Sequence, residues 1–206
     1  MAPVRICGGS LSGRPLVAPT GDATRPTSDK VRQAIFNRLV HANLGGDDEN
    51  GDPLAGPALD LFAGSGGLGL EALSRGASRC DFVDASAPAC ACIEKNIASL
   101  GLGSRAKVHR ARVDAFLKRA EPGYTLLFAD PPYAEAGALL DLALDQLVAR
   151  GLLVDGALCI VEHAAKPAPR VLTEPVDGLE VLDRRAYGQT VVSFLRVRRR
   201  GTRSQP

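Results

Sequence analysis

The 206-residue sequence predicts an α/β fold: a doubly wound, mostly parallel sheet with helices on both faces. Strand-like and helix-like segments alternate from residue 58 to residue 163. A glycine-rich stretch, Gly64-x-Gly66-x-x-Gly69, falls directly between the first strand and the first helix of that series. Two further strand-like runs close the chain as a C-terminal antiparallel hairpin.

At the N-terminus, RICGG and RPLVAP flank the turn-like SLSG and read as a small hairpin or extended arm. A helix follows in TRPTSDKVRQAIFNRLVHA. Thr27 or Ser28 can cap it, and Asp29 suits its first turn. Val31, Ile35 and Leu39 recur every four residues as an apolar stripe, with Lys30, Arg32 and Arg38 off it. Residues 43–57, NLGGDDENGDPLAGP, read as a flexible loop. The body then alternates: strands over 58–62, 79–84, 106–110, 124–130 and 157–163, and helices over 68–75, 87–100, 113–120 and 137–149. LEVLDRRAYGQTVVSFLRV is the terminal pair about a Tyr-Gly-Gln turn. Ligands of such sheets bind beyond the carboxyl ends of the strands, which brings the loops after Phe62, Val83, Arg110 and Ala129 around one crevice.

Hydrophobic residues make up 45% and charged residues 23%, which excludes a disordered, collagen-like or fibrous chain. No uncharged apolar run approaches the ~20 residues that span a bilayer, so no membrane association is expected. MAPVRICGGS lacks the apolar core of a signal peptide. Five cysteines in a chain able to bury a core predict free thiols and a reducing cytoplasm. The net charge of +2 is segregated: residues 1–40 carry +4, residues 184–206 carry +7 and residues 41–183 carry −9. Basic ends on an acidic body suggest a polyanion held by the ends.

The chemistry-bearing motifs sit at the predicted crevice. Asp60-Leu-Phe62-Ala-Gly64-Ser65-Gly66-Gly-Leu-Gly69 allows a tight turn and close approach of a nucleotide-like ligand to the backbone. Asp84, 20 residues after Gly64, ends the second strand, where a carboxylate can accept both hydroxyls of a ribose. These features suit NAD and S-adenosylmethionine alike. The fourth strand discriminates, because it runs into Asp130-Pro131-Pro132-Tyr133. Two prolines stiffen that loop so that it presents a carboxylate, carbonyls and an aromatic ring. Such a loop can accept the hydrogens of a planar NH2 group while Tyr133 stacks on its face.

The glycine loop with Asp-Pro-Pro-Tyr resembles the S-adenosylmethionine-dependent amino methyltransferases. Gly8-Gly9-x4-Arg14-x-Leu16, Thr24-Arg-Pro-Thr27-x-Asp29-x-Val31-Arg32-x3-Phe36-Asn37 and LDLFAGSGGLGLEALSRGA resemble a narrower group, the bacterial 16S rRNA guanine-966 N2-methyltransferases. The similarity covers nearly the whole chain, including Tyr187-Gly188. It implies a Rossmann-like class I methyltransferase, with S-adenosyl-L-methionine as cofactor, S-adenosyl-L-homocysteine as product and no metal. By the same resemblance Asp60, Phe62, Gly64, Ser65, Gly66 and Gly69 line the cofactor, Asp84 binds its ribose and Asp114 lies beside its adenine. Asp130, Pro131, Pro132 and Tyr133 hold the target guanine. Arg5, Arg14, Arg25, Lys30 and Arg32 are expected on the RNA. The implied partner is small-subunit ribosomal RNA within an assembled or assembling subunit, met by a monomer in the cytoplasm. The expected organisation is an RNA-facing arm and helix (1–42), a loop (43–57), a catalytic domain (58–200) and a basic tail (201–206).

Adenine-N6 methylation of DNA or RNA is the first alternative, since the same loop serves that chemistry. Protein-glutamine methylation, an NAD oxidoreductase and a non-catalytic RNA-binding module are further ones. Cys90-x-Cys92 has too short a spacing for a zinc knuckle. Cys7, Cys80 and Cys159 are expected in the core, and His163 in a loop.

Overall fold

The computed structural model describes residues 4–18, 29–41, 54–132, 136–166, 168–174 and 177–198. The 43–57 loop therefore lies largely outside the described residues, as do Arg25, Thr27, Ser28, Tyr133 and the 201–206 tail.

Seven strands form one sheet: β1 (Ala58–Leu61), β2 (Cys80–Asp84), β3 (Ala106–Arg110), β4 (Tyr124–Ala129), β5 (Leu153–Ala164), β6 (Leu179–Tyr187) and β7 (Thr190–Val197). Their order is β3-β2-β1-β4-β5-β7-β6. The first five are parallel to one another, while β7 runs antiparallel to both β5 and β6. The terminal hairpin thus covers the outer edge of β5 with β7, as its position in the sequence predicts.

All four residues of β1 are buried, the pattern of a parallel strand covered on both faces. One face packs against α1 (Asp29–His41), α2 (Gly67–Ser74) and α3 (Ala87–Leu100) through Ile35, Phe36, Leu70, Leu73, Ile93, Phe82 and Phe128. The other packs against α4 (Val113–Leu117), α5 (Ala136–Ala149) and α6 (Arg170–Thr173) through Leu59, Leu61, Val83, Phe116, Leu140, Leu144 and Leu147. Each such side chain contributes about 1.5–3 kcal/mol when taken from water. Among the described residues, no helix is long and apolar enough to cross a membrane.

Four expectations need correction. The helix expected over 113–120 ends at Leu117, because the chain must turn at Pro122-Gly123 (Gly123 φ 119°) to enter β4. The fifth strand begins at Leu153, four residues early: Leu153 pairs with Tyr124 across an irregularity that contains Gly156 (φ 77°). The strand also ends one residue later than expected, at Ala164, so His163 lies inside it rather than in a loop, buried, with Nε2 2.9 Å from the Ser193 hydroxyl. Cys7 is half-buried in the arm, while Cys80, Cys90, Cys92 and Cys159 are buried; all five are free thiols.

The arm is a short antiparallel turn. Ile6 N–H donates to Arg14 O at 2.9 Å and Leu16 N–H to Val4 O at 2.7 Å. It docks on α2 through buried polar side chains. The Ser74 hydroxyl donates to Gly8 O at 2.6 Å and accepts from Leu11 N–H at 3.0 Å. Glu71, fully buried, accepts from Cys7 N–H at 2.7 Å.

Candidate active site

The glycine loop connects the carboxyl end of β1 to α2. Phe62 takes φ 57°, the only positive φ at a non-glycine position among the described residues, which turns the chain sharply out of the sheet. Ala63 N–H donates to Val83 O at 3.1 Å and ties the loop to β2. Gly64 (φ 55°) has open space where a Cβ would stand, its nearest neighbour being Phe62 O at 4.0 Å. Gly69 has none: a Cβ there would lie 2.4 Å from Phe82 Cε1 and 2.7 Å from Cys80 Sγ. The first glycine leaves room for a ligand, and the last lets α2 lie against β2.

Asp60 is buried, and one carboxylate oxygen accepts from Gly69 N–H at 2.9 Å. Burial pushes its carboxyl well above the ordinary carboxylate range, and the negative charges of Asp130 and Asp84 push it further. Asp84 accepts from Gly64 N–H at 2.9 Å and from Ser86 N–H at 2.7 Å, one at each oxygen. It therefore pins the first loop to the second, and each oxygen retains a lone pair for a ribose hydroxyl. Asp130 follows β4 and is half-buried, Pro131 is buried and Pro132 is exposed. Asp114, in the first turn of α4, receives Arg112 Nε at 3.0 Å, which holds its carboxyl below the usual range.

Asp60, Asp84 and Asp130 thus converge at the carboxyl ends of neighbouring strands β1, β2 and β4, beside the glycine loop. A crevice with three carboxylates, one buried at a cost, is relieved by a cationic ligand. S-adenosylmethionine carries a sulfonium and an ammonium, so the donor set fits it.

Sequence reasoning missed Asn96, on the buried face of α3. Its Oδ1 accepts from Val17 N–H at 2.8 Å, and its Nδ2 donates to Val17 O at 2.9 Å and to Ser65 O at 3.1 Å. The signal was a polar residue within an otherwise apolar helical stripe. Glu71 was missed for the same reason.

The basic residues expected on RNA divide. Arg5, Arg14 and Lys30 are exposed; Arg5 reaches Gly13 O at 3.0 Å and Arg14 reaches Ser99 O at 2.7 Å. Arg32 is 1% exposed, 2.7 Å from Asp29 and 3.5 Å from Glu71, and also donates to Arg5 O. Its charge is matched inside the protein, so a scaffold role replaces the expected contact with phosphate. The buried face of α1 runs through Arg32, Ile35, Phe36 and Leu39, broader than the apolar stripe alone.

The strand order with its reversed seventh strand, and the glycine loop facing an acid at the end of β2, define a class I methyltransferase fold. The chain belongs to the family described as Conserved hypothetical protein 95, which matches residues 4–196. The Bacillus subtilis protein YlbH is 38% identical over 200 residues, 95% of this chain and all of that protein. Ribosomal RNA small subunit methyltransferase D of Escherichia coli K12 is 35% identical over 159 residues, 77% of this chain and 74% of that protein. The solved structure of Escherichia coli yhhF superposes with a TM-score of 0.76 at 32% identity, covering 97% of this chain and all of that one.

Proposed function

We propose that this chain transfers a methyl group from S-adenosyl-L-methionine to the exocyclic N2 of a guanine in small-subunit ribosomal RNA. The observation that carries the reading is the convergence of Asp60, Asp84 and Asp130-Pro131 around the glycine loop. The similarity to an Escherichia coli small-subunit rRNA methyltransferase supports the substrate class, and the resemblance in the Arg-Pro-Thr block supports guanine-966. Its setting is an assembled or assembling subunit in the cytoplasm, met by a single copy of the chain.

When bound, S-adenosylmethionine supplies a methyl carbon already activated by a sulfonium, so the protein's part is positioning and electrostatics. Asp60 and the loop from Phe62 to Gly69 hold the methionine portion. Asp84 takes the ribose hydroxyls, and Asp114 lies beside the adenine. The difficult partner is the guanine N2, whose lone pair is delocalised into the ring. Asp130 and the Pro131 carbonyl accept its two hydrogens, which favours a pyramidal nitrogen and turns the lone pair toward the crevice. A paired guanine cannot enter such a loop, so the base is flipped out and stacks on Tyr133.

Tyr133→Ala and Asp130→Ala test this division of labour. Cofactor binding by calorimetry should be retained in Tyr133→Ala and weakened at most severalfold in Asp130→Ala, which removes one of the three carboxylates, while methyl transfer to RNA falls by about two orders of magnitude or more in Asp130→Ala. Equal losses of cofactor binding and transfer in both variants would refute the assignment of this loop to the base.

A further inference from the structure

The net charge of −9 over residues 41–183 conceals a basic stretch. Residues 105–119 carry Arg105, Lys107, Arg110, Arg112, Lys118 and Arg119 against one acid, Asp114. The fold lays this stretch along β3, an outermost strand of the sheet, and α4. At the amino end of β3 it borders a groove of about 700 Å³, lined by Arg79, Ser104, Arg105, Lys107 and Arg119 over a floor that includes Asp81, His109 and Tyr124. The floor is internally satisfied: Asp81 lies 2.6 Å from His109 Nε2 and accepts from the Tyr124 hydroxyl at 3.0 Å. At the rim Arg79 lies 4.0 Å from Asp81, Arg105 donates to Leu73 O and Ala77 O, and Glu121 adds one acid; Lys107 and Arg119 are exposed, with no ion pair among the described residues. At the carboxyl end of β3, Arg110 stands in register with Asp84, at the proposed ribose site. The five residues of β3 span roughly 16 Å between these ends.

We propose that β3 and the turn after α4 form a second RNA-contact surface, which carries the phosphodiester backbone of the substrate RNA between the groove and the crevice. The inference rests on the RNA-methylating reading and deepens it by adding a contact remote from the arm. Lys107 shares the α4 side of β3 with His109, while Arg110 lies on the α3 side, so a backbone that follows these cations crosses the outer edge of β3, where phosphate contacts fix register without reading sequence. Charge on an edge strand also blocks pairing with another sheet, which is the competing explanation. Charge reversal separates the two, because a reversed edge stays charged and protected.

The test uses the full chain and a small-subunit rRNA transcript, with binding measured from low to moderate salt. Lys107→Glu/Arg119→Glu should weaken RNA binding at least about tenfold and flatten the slope of log Kd against log salt by about 2. Lys107→Gln/Arg119→Gln should give a smaller loss in the same direction. Arg150→Glu/Arg170→Glu, which makes the same change in net charge at exposed positions just after α5 and at the start of α6, should leave binding within about twofold. Affinity for S-adenosylmethionine should stay unchanged in all three, and thermal stability in the two Lys107/Arg119 pairs; the control loses the 2.8 Å Arg170–Asp145 ion pair, so its binding is measured where circular dichroism shows it folded. Equal losses in the reversed pair and the Arg150/Arg170 control would overturn the proposal while leaving the proposed function standing. A wild-type chain that binds the cofactor but neither the transcript nor the small ribosomal subunit would overturn both.

Discussion

The side-chain amide of Asn96 donates to the Ser65 carbonyl at 3.1 Å, so a buried residue of α3 holds the glycine loop in place. The same amide clasps both backbone groups of Val17 at 2.8 and 2.9 Å, which joins the cofactor loop to the N-terminal arm.

Asn96→Ala should therefore act on two levels. Three hydrogen bonds are lost and the backbone groups they satisfied are left buried, which costs about 1–3 kcal/mol in urea unfolding. Cofactor affinity should fall as well, because the Ser65 carbonyl is released. Asn96→Asp keeps the acceptor for Val17 N–H but loses both donors, and should weaken cofactor binding comparably. Unchanged cofactor affinity in both variants would detach Asn96 from the site.

The two ends of the glycine loop should fail differently. Gly69→Ala puts a methyl 2.4 Å from the Phe82 ring and should cost about 1–3 kcal/mol of stability. Gly64→Ala has room, but φ 55° strains an L residue by about 1–2 kcal/mol. Its methyl enters the space left for the cofactor, so its affinity should drop further than that of Gly69→Ala when stability and calorimetry are measured together.

Arg32 and Arg14 provide a contrast within one basic segment. Arg32→Met removes one of two cations beside buried Glu71, which keeps Arg75 at 2.8 Å and Cys7 N–H at 2.7 Å, and should cost about 1–3 kcal/mol in denaturant unfolding. Pairing it with Glu71→Gln should recover part of that loss. Arg14→Ala, at an exposed position, should change stability by no more than about 0.5 kcal/mol and should weaken RNA binding instead.

Asp60 predicts a conflict between stability and function. Its folded-state pKa lies above the unfolded carboxylate value of about 3.9. As pH rises, the unfolded chain loses this proton first, so stability falls from about pH 4 upward until Asp60 ionises in the folded protein. Asp60→Asn lacks that fall and keeps an oxygen to accept from Gly69 N–H. At pH 7 it should be as stable as the wild type or more so, yet bind S-adenosylmethionine at least about tenfold more weakly, about 1.4 kcal/mol. Urea unfolding at pH 4.5 and pH 7, with calorimetry, tests both halves.

The sheet, the glycine loop and the positions of Asp84 and Asp130 were legible because each is written locally: an apolar run, then glycines or prolines, then an acid. Arg32 was misread because its partner Glu71 lies 39 residues away, and an arginine off an apolar stripe reads as solvated. Asn96 interrupts an apolar stripe, which marks a buried hydrogen-bonding group, but its partners are backbone groups of Val17 and Ser65, which no side-chain pattern identifies. The basic edge of β3 vanished into an acidic average, since net charge over a long segment discards the order in which a fold lays residues side by side. The early end of α4 depended on Pro122-Gly123 turning the chain into β4, a signal outside the helical pattern itself.

The central claim is tested most directly with isotope-labelled S-adenosylmethionine, offered with unmodified small ribosomal subunits, naked small-subunit rRNA and duplex DNA in parallel. Each sample is digested to nucleosides and the labelled one identified by mass spectrometry. The account predicts label in N2-methylguanosine from the ribosomal samples. Label in N6-methyladenine, or none in any nucleic acid from a chain that binds the cofactor, would contradict it.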